Sequence, residues 1–468
     1  MKKIEIALFC IFLTYIAIFL TGVFKPEFFD AALRTPIQAA HILAFKTVVR
    51  DVAHPPVYWN PERDPRKGVI AYDPIRAHNG LTLFARGQQR DIGLIDMQGH
   101  RVHTWKMPPN DENMQTGRAI LVPPPALAGD CDALRSNVLW LPGNLGLGSS
   151  VPERQNISAL HLYPDGSLLI LSMGLTEGAK GEGLLKLDKD SHVLWKYDDI
   201  VTHHDVTVGP DGRIYVLGQK IGNVSVSDQT TAQNPCHIED FLLVLSPEGN
   251  ELRRISLRGA IERMIEKGGH PGDFLRDSMA RQEDVLHTNA VIVIPEGLED
   301  KAPMLKAGNI LLSFRTISLL AILDPRTQEI TWASYGPWHD QHSPRLLKDG
   351  SVILFDNTGN IFEGATSRVL RVDLNTMSIL WQYDGEGGKM LASDSQGTVN
   401  PLPNGNILVT ESLASRVFEV TPTGEVVWDY LTEDRFEGVD GQKLAVALFA
   451  AQRYLPGDIP FLNQGKTP

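Results

Sequence analysis

Two histidines recur at the same distance from a glycine turn, and they are the first candidates for chemistry in this sequence. His342 lies eight residues before Gly350 in WHDQHSPRLLKDGSVILFDN, and His204 lies eight residues before Gly212 in HHDVTVGPDGRIYVL. Histidine can act as a nucleophile or as a general acid near neutral pH. If the two stretches are repeats of one structural unit, both imidazoles occupy the same place in the fold.

Three further residues could complete a site. His287 and Asn289 occur in DVLHTN, where strand alternation predicts that they face the same side, and Arg315 ends the apolar run ILLSFR. Three kinds of site are compatible with this set: core histidines satisfied by backbone carbonyls, a zinc or copper site, and an anion site that does chemistry. Arg315 would repel a metal cation but offers a planar fork to an oxyanion, and Asp205 is the only obvious carboxylate. We therefore favour the anion site.

The elements that must position these residues form a repeat. From about residue 76 the chain consists of short apolar or alternating segments separated by Asp-Gly, Asn-Gly and Pro, which is typical of an all-β fold. Six units can be aligned, each with a strand after a Gly turn, expected as the inner strand, and an outer hairpin that ends near a tryptophan. The tryptophans are Trp105, Trp195, Trp332, Trp381 and Trp428, and the third unit has none. Six such units predict a six-bladed β-propeller.

In a propeller the innermost strand of each blade lines a central channel. The repeat places His204 and His342 at the start of that strand in units three and five, and it places Ser158 and Gly397 there in units two and six. Unit four offers His287, although the insertion PEGLEDKAPMLKA displaces its turn glycine, Gly308.

Composition limits the functions that are possible. The chain has 468 residues, of which 43% are hydrophobic and 21% charged, so it can form a large core. The formal net charge is −12 and no basic run occurs, so we expect no nucleic-acid partner.

The N-terminus predicts a membrane anchor. Lys2 and Lys3 precede an apolar run from Ile6 to Phe24, long enough to cross a bilayer, and no small-residue cleavage site follows. We favour a retained anchor over a signal segment for residues 1–24. The lysines before the span, with Glu27 and Asp30 after it, predict a cytoplasmic N-terminus and a body outside the cytoplasm.

The other segments have simpler predictions. Residues 25–75 are expected to form a membrane-proximal helix (39–52) and an extended linker, followed by the propeller from residue 76 to 468 with a C-terminal tail. Two insertions interrupt the repeat: a Pro- and Gly-rich loop at 108–156, and a helical insertion at about 260–282 that could cover one end of the channel. Cys131 and Cys236 could form a disulfide or remain two loop thiols.

Several motifs in order resemble the bacterial arylsulfate sulfotransferase family, whose members need no nucleotide sulfate donor. They are HHD (203–205), DVLHTN (284–289), GNILLSFR (308–315), QHSPRLLKDGSVILFDN (341–357), SRVLRVD (367–373) and PNGNILVTES (403–412), and the likeness runs through most of residues 80 to 455. The resemblance implies a six-bladed propeller that transfers a sulfuryl group from an aryl sulfate donor to a phenolic acceptor. It also implies a ping-pong reaction through a sulfohistidine.

The resemblance assigns a role to each candidate. It implies that His342 is the nucleophile and that Arg315, His204 and Asn289 surround the transferred group. His287 is a reasonable proton donor to the leaving phenolate, and the choice of acid between His287 and His204 stays open. No cofactor or metal is implied.

The N-terminus departs from the family pattern. The best-known members are soluble in the periplasm and carry a β-sandwich domain before the propeller, whereas this chain has an apparent single-pass anchor of the inner membrane with its propeller in the periplasm. A homodimer is one possible assembly, and the donor and acceptor are not fixed by the resemblance.

Three other expectations complete the sequence analysis. His339 has no counterpart in the family pattern and is expected to be a loop histidine. A non-catalytic, membrane-anchored propeller that binds a ligand is the alternative function. A quinoprotein-like oxidoreductase is less favoured because neither a tryptophan-docking repeat nor calcium carboxylates are apparent.

Overall fold

The computed structural model describes residues 59–86, 91–108, 156–173, 183–223, 236–268, 275, 284–360, 366–437 and 441–463. The chain divides into two units, residues 1–53 and 54–468, and all described residues belong to the second. The predicted anchor, the predicted helix at 39–52, most of the loop at 108–156 and Cys131 lie outside the described residues. Within the described residues, no helix is both long enough and apolar enough to cross a membrane.

The described residues are mostly β-strands. In chain order the strands are β1 (Trp59–Pro61), β2 (Gly68–Tyr72), β3 (Leu81–Arg86), β4 (Asp91–Ile95), β5 (Arg101–Lys106), β6 (Asn156–Leu162), β7 (Leu168–Met173), β8 (Leu184–Leu187), β9 (Val193–Tyr197), β10 (Val201–Val208), β11 (Ile214–Asn223), β12 (Cys236–Leu245), β13 (Glu251–Ser256), β14 (Thr288–Val293), β15 (Ile310–Phe314), β16 (Leu319–Asp324), β17 (Glu329–Tyr335), β18 (His342–Leu346), β19 (Val352–Asn360), β20 (Thr366–Val372), β21 (Ile379–Tyr383), β22 (Gly385–Glu386), β23 (Lys389–Met390), β24 (Thr398–Pro401), β25 (Ile407–Glu411), β26 (Arg416–Val420), β27 (Val426–Leu431), β28 (Arg435–Glu437), β29 (Lys443–Val446) and β30 (Leu448–Tyr454). The α-helix α1 (Leu257–Glu266) and two 3₁₀ turns (Ser412–Ala414 and Pro460–Asn463) accompany them, and the isolated described residue 275 is also helical.

Six antiparallel sheets form the blades of a propeller, as predicted. Blades 2 to 5 are β6–β9, β10–β13, β14–β17 and β18–β21, and blade 6 is β24–β27 with β2 added at its outer edge. Blade 1 combines β3–β5 with β30. The innermost strands β30, β6, β10, β14, β18 and β24 each contact the next, so they close a ring. The smaller pairings are β1–β29–β28 and the hairpin β22–β23.

The glycine turns fix the order of strands within a blade. Gly212 and Gly350 have φ of +78° and +84°, a conformation that glycine adopts without a steric penalty, and each joins the first strand of its blade to the second. The strand after the turn, which we expected to be the inner one, is therefore the second strand. It is also deeply buried: every residue of β15 and of β19 is buried.

Blade 1 is built from two segments that are far apart in the sequence. Its inner strand is β30, which lies in the segment expected as a C-terminal tail and pairs with β3 near the start of the propeller. Gly68–Tyr72, expected as part of an extended linker, pairs with β27 of blade 6. The extended conformation was predictable from sequence, but the partner strands were not.

Neighbouring blades are joined by a repeated hydrogen bond. The donor is a side chain at the same register position of the fourth strand, next to a β-bulge. The acceptor is a backbone carbonyl in the next blade, at the second residue of the turn that joins its third and fourth strands. The donor and acceptor pairs are His103 and Lys189 (2.9 Å), Trp195 and Pro247 (3.1 Å), Arg253 and Pro325, Trp381 and Pro422 (2.9 Å), and Trp428 and Met97 (2.9 Å). Trp332 occupies this position in blade 4 and packs in the core with Leu374.

These junction donors correct one expectation. Three of the five donors are tryptophans, but Trp105 is two residues out of phase with them, because His103 holds the equivalent position and Trp105 donates to the carbonyl of Gly166 instead.

Helix α1 covers the first part of the insertion that was predicted to be helical. Helix α1 begins at Leu257 and ends at Glu266, and the Ser256 hydroxyl caps it by accepting a hydrogen bond from the Gly259 amide. Its buried face packs against β12, β13 and β17, which are outer strands of blades 3 and 4. The described part of the insertion therefore lies against the outer strands, and the rest of 260–282, except residue 275, is outside the described residues.

Candidate active site

All six innermost strands contribute to one cavity at the centre of the propeller. It contains about 650 Å³ of space free of protein atoms, part of it open to solvent. Its polar lining comes largely from blades 3 to 5, and its apolar lining comes from blades 1 and 2. The lining residues that matter below are His204, Asp205, Asn289, His342, Ser343 and Arg345 on the polar side, and Ala159, Leu160, Phe449, Ala450 and Ala451 on the apolar side.

The repeat phase leads to this cavity. Ser158, His204, His342 and Gly397, which are the four residues that lie eight positions before a turn glycine, all line it. A phase measured from the turn glycine locates the channel because each turn fixes the position of the strand that precedes it.

β-Bulges aim side chains into the cavity. Five innermost strands shift register near their start, and each shift includes at least one residue that lines the cavity: Ser158, His204 with Asp205, Asn289, Ser343 and Phe449. His204 and Ser343 adopt φ of +60° and +51°, which costs energy for residues other than glycine. Bulges are frequent beside active sites, where they redirect a side chain.

His342 is held in one tautomer. Its Nδ1 lies 3.0 Å from the backbone carbonyl of Asp340 and 2.7 Å from Oδ1 of Asn357. Both atoms are acceptors, so Nδ1 carries the proton and donates to them. Nε2, which has no hydrogen-bond partner among the described residues, keeps its lone pair for the cavity that His342 lines. Burial, with the positive charge of Arg315 nearby, lowers the pKa of His342 to about 3, so the ring is neutral at physiological pH.

Asn357 was not predicted as a site residue. It is fully buried in β19, and its Nδ2 donates to the carbonyls of Ser393 (2.6 Å) and Gln396 (2.5 Å). These two bonds leave Oδ1 as the atom that faces His342. A signal for it exists in VILFDN, where two polar residues follow an apolar run as Arg315 follows ILLSF.

His204 is surrounded by other basic groups. Its Nδ1 lies 2.6 Å from Nδ1 of His203, and its ring contacts that of His287 edge-on at a centroid distance of 4.8 Å. Burial, together with the neighbouring His287, His203, His342 and Arg315, holds the pKa of His204 well below its usual value. His204 is therefore neutral and can accept or donate a hydrogen bond at the cavity.

His287 has a carboxylate partner that we did not predict. Its Nδ1 lies 2.5 Å from Oδ2 of Asp284, three residues earlier in DVLHTN. Burial raises the pKa of Asp284, but the charge of His287 and the hydrogen bond to it outweigh burial, so the pKa of Asp284 lies below its ordinary value. His287 precedes β14 and Asn289 lies in a bulge, so simple alternation does not relate them. The ring of His287 reaches the site through its contact with His204.

Asn289 and Arg315 each have an unused polar atom. Asn289 Nδ2 donates to the carbonyl of Gln341 at 2.8 Å, while its buried Oδ1 has no partner among the described residues. The buried Nε of Arg315 likewise has no partner there. A buried polar atom without a hydrogen-bond partner costs free energy. Such atoms are often found in sites where a bound ligand supplies the missing hydrogen bond.

Other nearby residues have structural partners. Asp205 accepts hydrogen bonds from the amides of Val206 (3.0 Å) and Val291 (3.1 Å), and burial raises its pKa. His339 lies between β17 and β18, and its amide donates to Asp356 at 2.8 Å. Among the described residues, no group of three or more His, Cys, Asp or Glu side chains could hold a metal ion.

A family model described as arylsulfotransferase (ASST) matches residues 162–433, which is more than half of the chain and contains every candidate site residue. The chain belongs to the arylsulfotransferase family. No individually curated protein matches the sequence.

The structural comparisons give only distant likenesses. A protein of unknown function from Bacteroides caccae is 11% identical with a TM-score of 0.44, covering 75% of this chain and 93% of that chain. A streptogramin B lyase is 11% identical with a TM-score of 0.39, covering 85% of this chain and 97% of that chain. A catalytically inactive virginiamycin B lyase from Staphylococcus aureus, solved with quinupristin, is 10% identical with a TM-score of 0.35, covering 64% and 84% of the two chains.

Proposed function

We propose that this arylsulfotransferase moves a sulfuryl group from an aryl sulfate to a phenol through a covalent sulfohistidine on His342. The observation that carries the proposal is the tautomer of His342: Nδ1 is fixed as a donor to Asp340 and Asn357, and Nε2 is free in a cavity. A neutral imidazole with a free lone pair is a nucleophile that can divide one displacement into two.

In the first half-reaction, Nε2 of His342 attacks sulfur and the bond from sulfur to the aryl oxygen breaks. The aryl oxygen takes a proton and leaves as a phenol. In the second half-reaction, the oxygen of the acceptor phenol attacks sulfur, the S–N electron pair returns to Nε2, and the acceptor's proton returns to the protein. The cycle therefore needs no net proton exchange.

Arg315 and His204 suit the transferred group, whereas Asn289 suits the phenol. Sulfuryl transfer resembles phosphoryl transfer, in which charge spreads over three equatorial oxygens and positioned donors matter most. Arg315 has an unsatisfied donor, and the neutral ring of His204 lies at the cavity. Asn289 presents Oδ1, an acceptor, so we assign it to the phenolic hydroxyl rather than to a sulfuryl oxygen.

His287 is the general acid in this proposal. Its Nδ1 lies 2.5 Å from the Asp284 carboxylate, which fixes the orientation of the ring, whereas His204 has another histidine as its Nδ1 partner. The unequal partners support different roles for the two histidines, a choice that the sequence alone left open.

The aryl ring has an apolar wall available to it. Ala159, Leu160, Phe449, Ala450 and Ala451 line the cavity on the side of blades 1 and 2, across from the polar groups of blades 3 to 5. An aryl sulfate has the same division between an apolar ring and an anionic group. Apolar lining with a few polar groups that fix orientation is common in small-molecule sites.

The decisive experiment is incubation with an aryl sulfate alone. We expect a burst of one phenol per chain and a mass increase of about 80 Da that disappears when an acceptor phenol is added. His342→Ala should form no adduct, His204→Ala and His287→Ala should form it slowly, and His192→Ala, at an exposed outer turn, should behave as wild type. An adduct on another histidine would move the nucleophile. If no aryl sulfate gives an adduct, the ligand-binding propeller becomes the better hypothesis.

We also propose that residues 1–24 anchor the protein in the inner membrane with the propeller in the periplasm. The support is the sequence: Lys2 and Lys3 precede an apolar run from Ile6 to Phe24, broken only by Thr14, Thr21 and Gly22, and no small-residue cleavage site follows. The full-length protein should fractionate with membranes and should be digested by protease added from the periplasmic side. A mature protein that begins near Lys25 and is free in solution would contradict this topology.

A further inference from the structure

Asn357 is the only side chain that hydrogen-bonds to His342 among the described residues. Its Oδ1 accepts from Nδ1 at 2.7 Å, and the second acceptor of the same proton is the backbone carbonyl of Asp340 at 3.0 Å. Both acceptors are neutral. A catalytic histidine is often held by a carboxylate instead, so the choice of an amide here has a chemical consequence.

The amide cannot turn over. Its Nδ2 donates to the carbonyls of Ser393 and Gln396, and reversing the amide would place its oxygen against these two oxygens. The Ser367 hydroxyl ties this loop to β19, since it donates to the Asn357 carbonyl and accepts from the Ser393 amide, both at 2.8 Å. Gly397 has φ of +106°, and a Cβ there would lie 2.8 Å from the Phe355 ring, so the loop can approach only with glycine at this position.

Among the residues that the structure describes, no carboxylate is hydrogen-bonded to the His342 ring. The positive charges that face it are Arg315 and, when protonated, His287, with His204 also nearby. The Asp356 carboxylate, adjacent in sequence, binds instead the amides of His339 and Gly359 and the side chain of Arg368. The carboxylate of Asp340 accepts from the Thr358 hydroxyl at 3.1 Å. Asp205 lines the same cavity and lies 3.8 Å from Arg345.

We propose that Asn357 is a positioning residue that keeps the Nδ1 proton on His342 through both half-reactions, so that neutral imidazole is the leaving group in the second. This inference rests on the proposed function. In the intermediate, Nε2 carries the sulfuryl group and Nδ1 keeps its proton. When the S–N bond breaks, its electron pair returns to Nε2 and restores the neutral ring. If Nδ1 lost its proton to a base, the leaving group would be imidazolate, a far poorer one.

Replacement of Asn357 by aspartate converts this inference into a titration. A carboxyl group that is protonated resembles the amide, because its hydroxyl can donate to Ser393 or Gln396 while its carbonyl oxygen accepts from His342. Once ionised, the carboxylate attracts the Nδ1 proton. We therefore expect the second half-reaction of Asn357→Asp to slow by about tenfold or more as pH rises, while the first half-reaction does not slow.

The two half-reactions are measured separately by rapid quench, with adduct detected by intact mass across pH 5 to 8. Wild type and Asn250→Asp, a change of the same kind at an outer turn of blade 3, should show no new ionisation in the second half-reaction. If the two half-reactions of Asn357→Asp fall by the same factor at every pH, Asn357 has only a structural role and the inference is wrong. If wild type forms no adduct, the proposed function itself fails, which is a distinguishable result.

A second variant covers the case in which Asn357→Asp does not fold. With ¹⁵N-labelled histidine, NMR should show only the Nδ1–H tautomer of His342 in wild type. In Asn357→Ala we expect a mixture of tautomers and a first half-reaction slowed by about tenfold, since only Asp340 remains as an acceptor. A single unchanged tautomer in Asn357→Ala would overturn the inference.

Discussion

The two kinds of β-bulge in this propeller show how one repeat supports both a scaffold and a site. At the outer bulge, beside the fourth strand, each donor reaches the equivalent backbone carbonyl of the next blade. The donors are His103, Trp195, Arg253, Trp381 and Trp428. At the inner bulge, beside the first strand, the side chains differ from blade to blade and face the cavity. At the outer bulge the residue type varies, but the hydrogen bond to the next blade is repeated. At the inner bulge the register shift is repeated, but the side chain that faces the cavity varies in its chemistry.

The difference follows from what each position contacts. A carbonyl of a turn is present in every blade whatever its sequence, so any donor of suitable length can serve there. The cavity is lined by all six innermost strands. Each strand can therefore present a different side chain to the substrate, and each side chain can take a separate role. Changes at outer bulges should therefore affect folding, and changes at inner bulges should affect turnover.

The largest expected contrast is between two histidines. His342→Ala should lower turnover by about 10⁴-fold or more, because it removes the nucleophile. His103→Ala should leave turnover within about twofold but lower the free energy of unfolding by about 1–2 kcal/mol, because it removes a hydrogen bond and the edge contact with Trp105. Steady-state kinetics and urea unfolding of both variants test the contrast. Equal losses of turnover would contradict the separation of the two positions.

Two arginines give the next contrast. Arg315→Lys should lower turnover by roughly a hundredfold, since lysine keeps the charge but loses the planar fork. Arg253→Lys should change turnover by less than about twofold, because Arg253 only donates to the carbonyl of Pro325 at a junction. The measurement is kcat and KM for one aryl sulfate and one phenol. Normal kinetics for Arg315→Lys would remove Arg315 from the site.

These contrasts also show what the sequence could predict. The turn glycines set a phase, and that phase located His204 and His342 because a strand's position follows from its turn. It could not show that His204 lies in a bulge with positive φ, since bulges depend on the pairing of neighbouring strands. Asn357 and Asp284 escaped prediction for a related reason: their importance comes from a bond to one histidine, and distance in space is not visible in a single chain.

The junctions were misjudged for another physical reason. Tryptophans at a regular spacing suggested the ends of the repeats. In blade 1, however, Trp105 is not at the junction position, and His103 makes the junction hydrogen bond instead. Sequence comparison looks for one residue type, whereas the structure requires only a donor that reaches a carbonyl. The family itself was recognisable from its ordered motifs. Most of these motifs lie on the first and second strands of blades 3 to 6 and on the turns between them, where local sequence determines the structure.

Burial should grade the junctions themselves. Trp428 is fully buried, donates to Met97 and lies under Arg453, whose guanidinium carbon is 4.6 Å from the ring centroid. Trp381 makes the same bond from a half-buried position. Trp428→Phe should lower the free energy of unfolding by about 2–3 kcal/mol and Trp381→Phe by about 1 kcal/mol or less, because an unsatisfied carbonyl costs more when buried. Urea unfolding tests this order, and an equal effect would show that burial does not grade the junctions.

The smallest change is expected when pH is varied in the first half-reaction. Burial and the nearby Arg315 lower the pKa of His342 to about 3, so the neutral nucleophile persists well below the usual range for histidine. With an ordinary pKa of about 6.5, only about 3% of the ring would be neutral at pH 5, and the burst would slow by about 30-fold relative to pH 7.5.

We instead expect a change of less than about threefold between pH 7.5 and pH 5, because arginine keeps its charge in this range and acidification only favours protonation of the acid. The donor should be an aryl sulfate with an electron-poor ring, whose leaving group depends little on His287. The measurement is the burst rate, with circular dichroism at each pH to establish that the propeller remains folded. A 30-fold fall would mean that His342 titrates as an ordinary exposed histidine, and the inner position would then lack the electrostatic difference that separates it from the outer one.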